Sequence, residues 1–81
     1  MPLQPFVIKI PVSNSYRIIE IDDERKVSDL LQLATLTFGL GYSQHVYFHF
    51  PNLPDPLPND SPLVNLQIKR NVINFLKFKS N

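Results

Sequence analysis

The spacing of hydrophobic positions changes several times along the chain, and each change predicts a different element. Two segments rich in β-branched side chains, 6–12 and 16–21, are separated by the polar segment 13–15. Segments of this kind are typical of strands, and so short a connection joins neighbouring strands in an antiparallel hairpin. The chain is therefore predicted to open with a β-hairpin.

A helical spacing follows the hairpin. Five apolar side chains fall at i, i+3, i+4, i+7 and i+11, and they are Val27, Leu30, Leu31, Ala34 and Phe38. Acidic residues precede this stripe, where the helix dipole favours anions, and Gly39 follows it as a left-handed stop. The pattern predicts a helix of about three turns. Lys26 stands where a Ser, Thr or Asp cap is usual.

The second half of the chain alternates between strand-like and irregular patterns. Segment 45–50 alternates with period two, which predicts a half-buried strand with Val46, Phe48 and Phe50 on its inward face. Segment 51–62 contains five prolines, which remove backbone donors and fix φ, so it is predicted to be an irregular surface loop and a stiff connector. Segment 72–78 is again strand-like.

Composition limits the classes of protein that remain. The chain has 81 residues, of which 43% are hydrophobic and 19% charged, so we expect one domain, 1–81. A net charge of +1 with scattered cations argues against nucleic acid as a partner. The absence of cysteine excludes disulfides, thiolate metal sites and thiol nucleophiles. No secretory signal or membrane-length apolar run is visible, so we expect no membrane insertion and a cytoplasmic or nuclear location.

The candidate chemistry is weak. His45 and His49 lie four residues apart, which on a strand separates them by roughly 13 Å, too far for one metal ion. The two glycines, Gly39 and Gly41, do not form a phosphate-binding loop or a nucleophile elbow. The acidic cluster before the helix is explained by the helix dipole. We therefore predict no enzyme, no catalytic residue, no metal site and no cofactor.

The order strand, strand, helix, strand, loop, strand resembles the ubiquitin-like β-grasp superfamily over nearly the whole chain. Segments 19–22, 27–31 and 66–71 resemble the end of its second strand, the start of its helix and the stretch before its last strand. Segments 29–40 and 58–63 are also similar to Ras-association domains, and the first of them to the first lobe of FERM domains. The resemblance implies an α+β fold in which a mixed four- to five-stranded sheet packs on one helix.

This fold places the first strand in the centre of the sheet, hydrogen-bonded on both sides. Pro11 cannot donate a hydrogen bond, so the pairing must end or bulge there. Conjugated members of the superfamily end in Gly-Gly, whereas this chain ends in Lys77-Phe78-Lys79-Ser80-Asn81. The resemblance thus implies a module that is not conjugated, that binds another protein without catalysis, and that is part of a larger protein.

Strict alternation leaves one face of the sheet outward, and that face is unusually apolar. The residues predicted to bind a protein partner there are Val7, Lys9, Ile18, Tyr47, His49 and Leu76. The alternative is that these apolar side chains are scattered on the surface and bind nothing.

A second surface is the edge formed by the second strand. In Ras-association domains this edge binds a small GTPase, and the cations that would take that role here are Lys9, Arg17, Arg25 and Lys26. Ordinary surface cations would look the same. A third class, the self-assembling Phox/Bem adaptor, needs a basic first strand and an acidic loop, for which the chain offers only Lys9 with Asp55 and Asp60.

Overall fold

The computed structural model describes residues 3–39, 46–53, 55–66 and 72–77. Its elements are β1 (Leu3–Ile10), β2 (Ser15–Asp22), α1 (Val27–Thr37), β3 (Val46–His49), a 3-10 helix (Leu63–Leu66) and β4 (Val72–Lys77). The strands form one sheet in the order β2-β1-β4-β3. β1 is antiparallel to β2 and parallel to β4, and β3 is antiparallel to β4. The predicted mixed sheet with a central first strand is confirmed, and it has four strands in the part of the chain that the structure describes.

The hairpin between β1 and β2 turns where proline interrupts the ladder. β1 ends at Ile10, because Pro11 has no N–H to donate, and the turn extends to Asn14. The prediction that pairing ends at Pro11 is confirmed. The predicted extension of the strand to Val12 is wrong, since this side chain lies in the turn and is 92% exposed. Asn14 has a φ of 55°, a left-handed conformation that asparagine tolerates.

The hydrophobic core lies between α1 and one face of the sheet. Its buried side chains are Phe6, Ile8, Ile19, Ile21, Phe48, Ile73 and Phe75 from the strands, Val27, Leu30 and Ala34 from α1, and Leu63 from the 3-10 helix. Two members of the predicted helical stripe, Leu31 and Phe38, are only partly buried. Thr35 is buried instead, and its hydroxyl donates to the backbone oxygen of Leu31 at 2.8 Å, which satisfies the polar group inside the core.

The proline-rich segment 51–62 caps the start of α1 with its backbone. The N–H of Val27 donates to the backbone oxygen of Ser61, and the N–H of Ser28 donates to that of Asn59, both at 3.0 Å. A helix leaves the N–H groups of its first turn without partners inside the helix. The segment is therefore a structural part of the helix start as well as a connector.

The other N–H groups of the first turn find partners within the turn. The N–H groups of Asp29 and Leu30 donate to the backbone oxygen of Lys26, and the Asp29 carboxylate accepts from the Lys26 N–H at 3.2 Å. A capping side chain at position 26 is consequently not needed. At the other end, Gly39 has a φ of 73° and donates to the backbone oxygen of Leu36, so the predicted left-handed stop is confirmed.

Some expectations lie outside the described residues. They concern Gly41, His45, residues 67–71 of the segment that resembles the stretch before the last strand, and the C-terminal residues 78–81.

Candidate interaction surface

The outward face of the sheet is organised in rows that cross the strands. The strand register places Ile18 beside Val7 and Val7 beside Val72, and we call these three residues the apolar row. Ile18 is 68% exposed, while the two valines are half-buried. The apolar row thus extends across three of the four strands, from the β2 edge to β4.

A polar row lies next to the apolar row. It consists of Tyr16, Lys9, Asn74 and His49, in order from β2 to β3. On the far side of the polar row, Tyr47 pairs with Leu76. All six predicted partner-binding residues therefore share one face, but their apolar members form two groups that the polar row separates.

Two interactions hold side chains of the polar row in place. The Lys9 ammonium lies 5.3 Å from the centre of the Tyr16 ring, a cation–π contact. The His49 Nδ1 lies 2.7 Å from the backbone oxygen of Phe50 and 3.2 Å from that of Leu53. As an N–H donor, this nitrogen ties β3 to the start of the proline-rich segment, so His49 also supports the fold.

The four cations proposed for the alternative site do not lie on one surface. Lys9 is on the outward face, whereas Arg17 pairs with Ile8 on the core side of the sheet. The Arg17 guanidinium lies 5.4 Å from the centre of the Phe38 ring and donates to the backbone oxygen of Tyr16 at 2.7 Å. This cation is thus engaged within its own chain.

The other two cations lie beyond the opposite end of β2. Lys26 precedes α1, and Arg25 lines a shallow groove of about 240 Å³ between β2 and α1. The other lining residues are Ile21, Asp29, Gln32 and Leu33. Because Arg25 and Asp29 both line it, the groove carries charges of both signs.

The two edges of the described sheet differ. At β3, the N–H of Leu57 in the proline-rich segment donates to the backbone oxygen of Phe48 at 2.8 Å, so part of that edge is covered. β2 has β1 on one side and, among the described strands, no neighbour on the other. The β2 edge is therefore open in the described part of the chain.

Three further residues of these rows, Val72, Asn74 and Tyr16, were not predicted as binding residues. The sequence carried a signal for all three, because Val72 and Asn74 alternate in step with Leu76 along one strand, and Tyr16 in step with Ile18 along another. In the described ranges, no group of three His, Cys, Asp or Glu side chains is placed to hold a metal ion. No described helix has the length and apolar character that a membrane crossing requires.

Comparisons with known proteins give matches among solved structures. No protein-family model and no curated protein matches the chain. One chain in the crystal structure of a pParkin-pUb-UbcH7 complex is similar with a TM-score of 0.77 at 9% identity, over 95% of this chain and 23% of that chain. A protein designed de novo on the basis of ubiquitin is similar with a TM-score of 0.77 at 11% identity, over 99% of this chain and 94% of the other. At such low identity, these similarities establish the fold alone.

Proposed function

We propose that this chain, which has the ubiquitin-like β-grasp fold, is a non-catalytic module that binds another protein through the outward face of its sheet. The observation that carries the proposal is the apolar row together with the Tyr47–Leu76 pair, which bring apolar side chains of four strands to one face. The core, to which α1 and the 3-10 helix contribute, lies on the opposite face of the sheet. Ile18 is exposed and the other four apolar side chains are half-buried. Partly exposed apolar side chains gathered on one face are typical of protein interfaces.

The arrangement favours a partner with two apolar anchors. The apolar row and the Tyr47–Leu76 pair lie roughly 13 Å apart along β4, since four residues separate Val72 from Leu76. Between them, Lys9 and Asn74 offer hydrogen-bonding groups. Interfaces commonly combine buried apolar anchors with polar groups that fix orientation.

The proposal also concerns the larger protein to which this chain would belong. One structural neighbour occurs in a pParkin-pUb-UbcH7 complex, in a chain of which the present fold spans 23%. By analogy, we infer that this module acts within a larger protein, as an adaptor. The absence of cysteine fits a reducing compartment, the cytoplasm or nucleus.

A charge on the outward face tests this function. We expect Leu76→Asp or Tyr47→Asp to abolish capture of the partner from lysate, because an unpaired charge at the centre of an interface is strongly unfavourable. Val12→Asp is the matched control, since Val12 is 92% exposed in the hairpin turn, away from the two apolar groups. Circular dichroism checks that each variant is folded. Partner capture that survives both face variants would contradict the proposal.

Binding of a small GTPase at the β2 edge is the alternative, and the open edge favours it. In that case, reversing Lys9 and Arg17 to glutamate should weaken binding more than the face variants do. The loss should appear mainly in the association rate and shrink with added salt, because such charges act by screened steering. This alternative would be favoured if the original chain recovers a GTPase only in the presence of GTP, and if the variant with Lys9 and Arg17 reversed is the only one that loses this binding.

A further inference from the structure

The open edge of β2 lacks several of the features that usually prevent edge strands from pairing. Protected edge strands are very short, contain proline or charged side chains, or are interrupted by a bulge. β2 has eight residues without proline or lysine, and its register with β1 runs without interruption from Ser15 to Asp22. Its charge on the core side, Arg17, is held 5.4 Å from the ring centre of Phe38 in the same chain. A long and regular edge of this kind is a template for another strand.

We propose that this edge pairs with the β2 edge of a second copy of the chain, antiparallel, with Ile18 opposite Ile18 of the second copy. The two sheets would then form one eight-stranded sheet. This interface goes beyond the proposed function, because it uses the edge of the sheet and needs no other protein.

Side-chain chemistry favours this register among the symmetric ones centred on residues 17 to 20, which pair the largest part of β2. Residues that pair across an antiparallel ladder lie on the same face, so each symmetric register is centred on one residue of β2. A centre at Arg17 or at Glu20 places like charges directly opposite each other, which is destabilising. A centre at Ile19 places Ile18 opposite Glu20 and Arg17 opposite Ile21, two pairs of an apolar and a charged side chain. A centre at Ile18 avoids like charges and has one such pair, Arg17 opposite Ile19.

The register centred on Ile18 also creates complementary pairs. Tyr16 of each copy lies opposite Glu20 of the other, so the phenol can donate to the carboxylate. The Lys9 ammonium, held 5.3 Å from the Tyr16 ring centre, adds a positive charge beside the same carboxylate. Ile18 buries its exposed side chain against its equivalent. The apolar rows of the two copies thereby become one continuous row.

The proposed interface is small, so the dimer should be weak. A single strand pair buries less than the roughly 1,600 Å² of a standard protein interface. We therefore expect a weak dimer whose population rises with protein concentration. Sedimentation of the 81-residue chain from micromolar to millimolar concentration should show this.

Charge variants test the edge and the register. Ile18→Lys places two ammonium groups opposite each other and should raise the dimer dissociation constant about tenfold or more. Val12→Lys, outside β2, is the matched control and should leave it unchanged. Glu20→Lys should weaken the dimer, and the double variant Lys9→Glu, Glu20→Lys should restore it. Circular dichroism confirms folding.

Cross-linking gives a second measurement, because the chain has no cysteine of its own. Opposed residues on antiparallel strands have Cα atoms about 4.5 or 5.5 Å apart, which a disulfide can bridge. Ile18→Cys should form disulfide dimers under mild oxidation faster than Val12→Cys. A mixture of Tyr16→Cys and Glu20→Cys should form the mixed dimer faster than either variant dimerises alone.

Three results would overturn the proposal. The chain could stay monomeric up to millimolar concentration, the dimer could survive Ile18→Lys, or the mixed cysteine pair could cross-link no faster than Val12→Cys. The two proposals can fail separately. If the Leu76→Asp variant loses partner capture but still dimerises, the sheet face binds the partner and the β2 edge forms the dimer.

Discussion

At the scale of single residues, burial decides what each leucine of α1 contributes. Leu30 is fully buried, whereas Leu36 is 53% exposed on the same helix. Both lose the same atoms on truncation to alanine, and alanine is a good helix former in both places. A difference between the two variants therefore isolates the effect of the core.

We expect Leu30→Ala to lower the free energy of unfolding by about 2–5 kcal/mol, through lost burial and the cavity left behind. Leu36→Ala should change it by no more than about 0.5 kcal/mol. Phe48→Ala should fall in the range of the core variant, and Leu31→Ala below it, because Leu31 is only partly buried. Urea denaturation followed by circular dichroism measures these values. Equal losses for Leu30 and Leu36 would contradict the described packing.

Thr35 and Leu63 belong to the core although the hydrophobic pattern of the sequence did not predict either of them, and the reasons differ. Thr35 is polar, and its burial depends on a hydrogen bond to a backbone oxygen of the same helix. Leu63 follows the proline-rich segment, and its burial depends on how that segment returns to the sheet. Periodicity reports apolar positions within one element, so it could find Leu30 and Phe48 but neither of these two.

At the scale of elements, boundaries were predictable where a local residue sets them. Pro11 ends β1 and Gly39 ends α1, each through its own backbone chemistry. The start of β1 at Leu3 was missed because Pro5 argues against a strand. Pro5 is tolerated because, among the residues that the structure describes, the β4 pairing begins only at Val7, so β1 has a single neighbouring strand at Pro5.

The start of α1 was unclear from sequence because its cap comes from a remote segment. The N–H groups of Val27 and Ser28 already donate to that segment. We therefore expect Lys26→Ser to raise the free energy of unfolding by less than the roughly 1 kcal/mol of a typical N-cap. Asp29→Ala should lower the free energy of unfolding by about 1 kcal/mol, because it removes both the acceptor for the Lys26 N–H and a charge favourable to the helix dipole. Asp29→Asn, which keeps an acceptor, is the control and should lose less.

Thermal unfolding of the three variants at equal ionic strength measures these differences. A full capping gain for Lys26→Ser would show that the remote backbone oxygens do not serve as the cap.

At the scale of the whole molecule, the alternation of residues along each strand predicted which side chains face outward. It could not predict which of these side chains lie next to each other. The rows depend on how the strands align, and two of the three alignments join strands far apart in the chain. Only this alignment reveals that Asn74 and His49 separate the Tyr47–Leu76 pair from the apolar row. The openness of the β2 edge likewise follows from strand order.

The stability of the whole chain should rest on its hydrophobic core. With no cysteine in the sequence and no metal-binding cluster among the described residues, we expect the same melting temperature with and without a chelator or a reductant. Melting followed by circular dichroism in EDTA, and separately in dithiothreitol, measures this. A melting temperature lowered by several degrees in EDTA would reveal a metal contribution.

The backbone cap on α1 also couples the local dynamics of distant parts of the chain. The amides of Val27 and Ser28 are at the start of α1, and the amide of Leu57 lies next to β3. The hydrogen bonds of all three amides form only while the proline-rich segment is in its observed position. Exchange with solvent deuterons requires the protecting hydrogen bond to open. We therefore expect the three amides to share one opening event, in which the first turn of the helix loses its protection when the segment moves away from it.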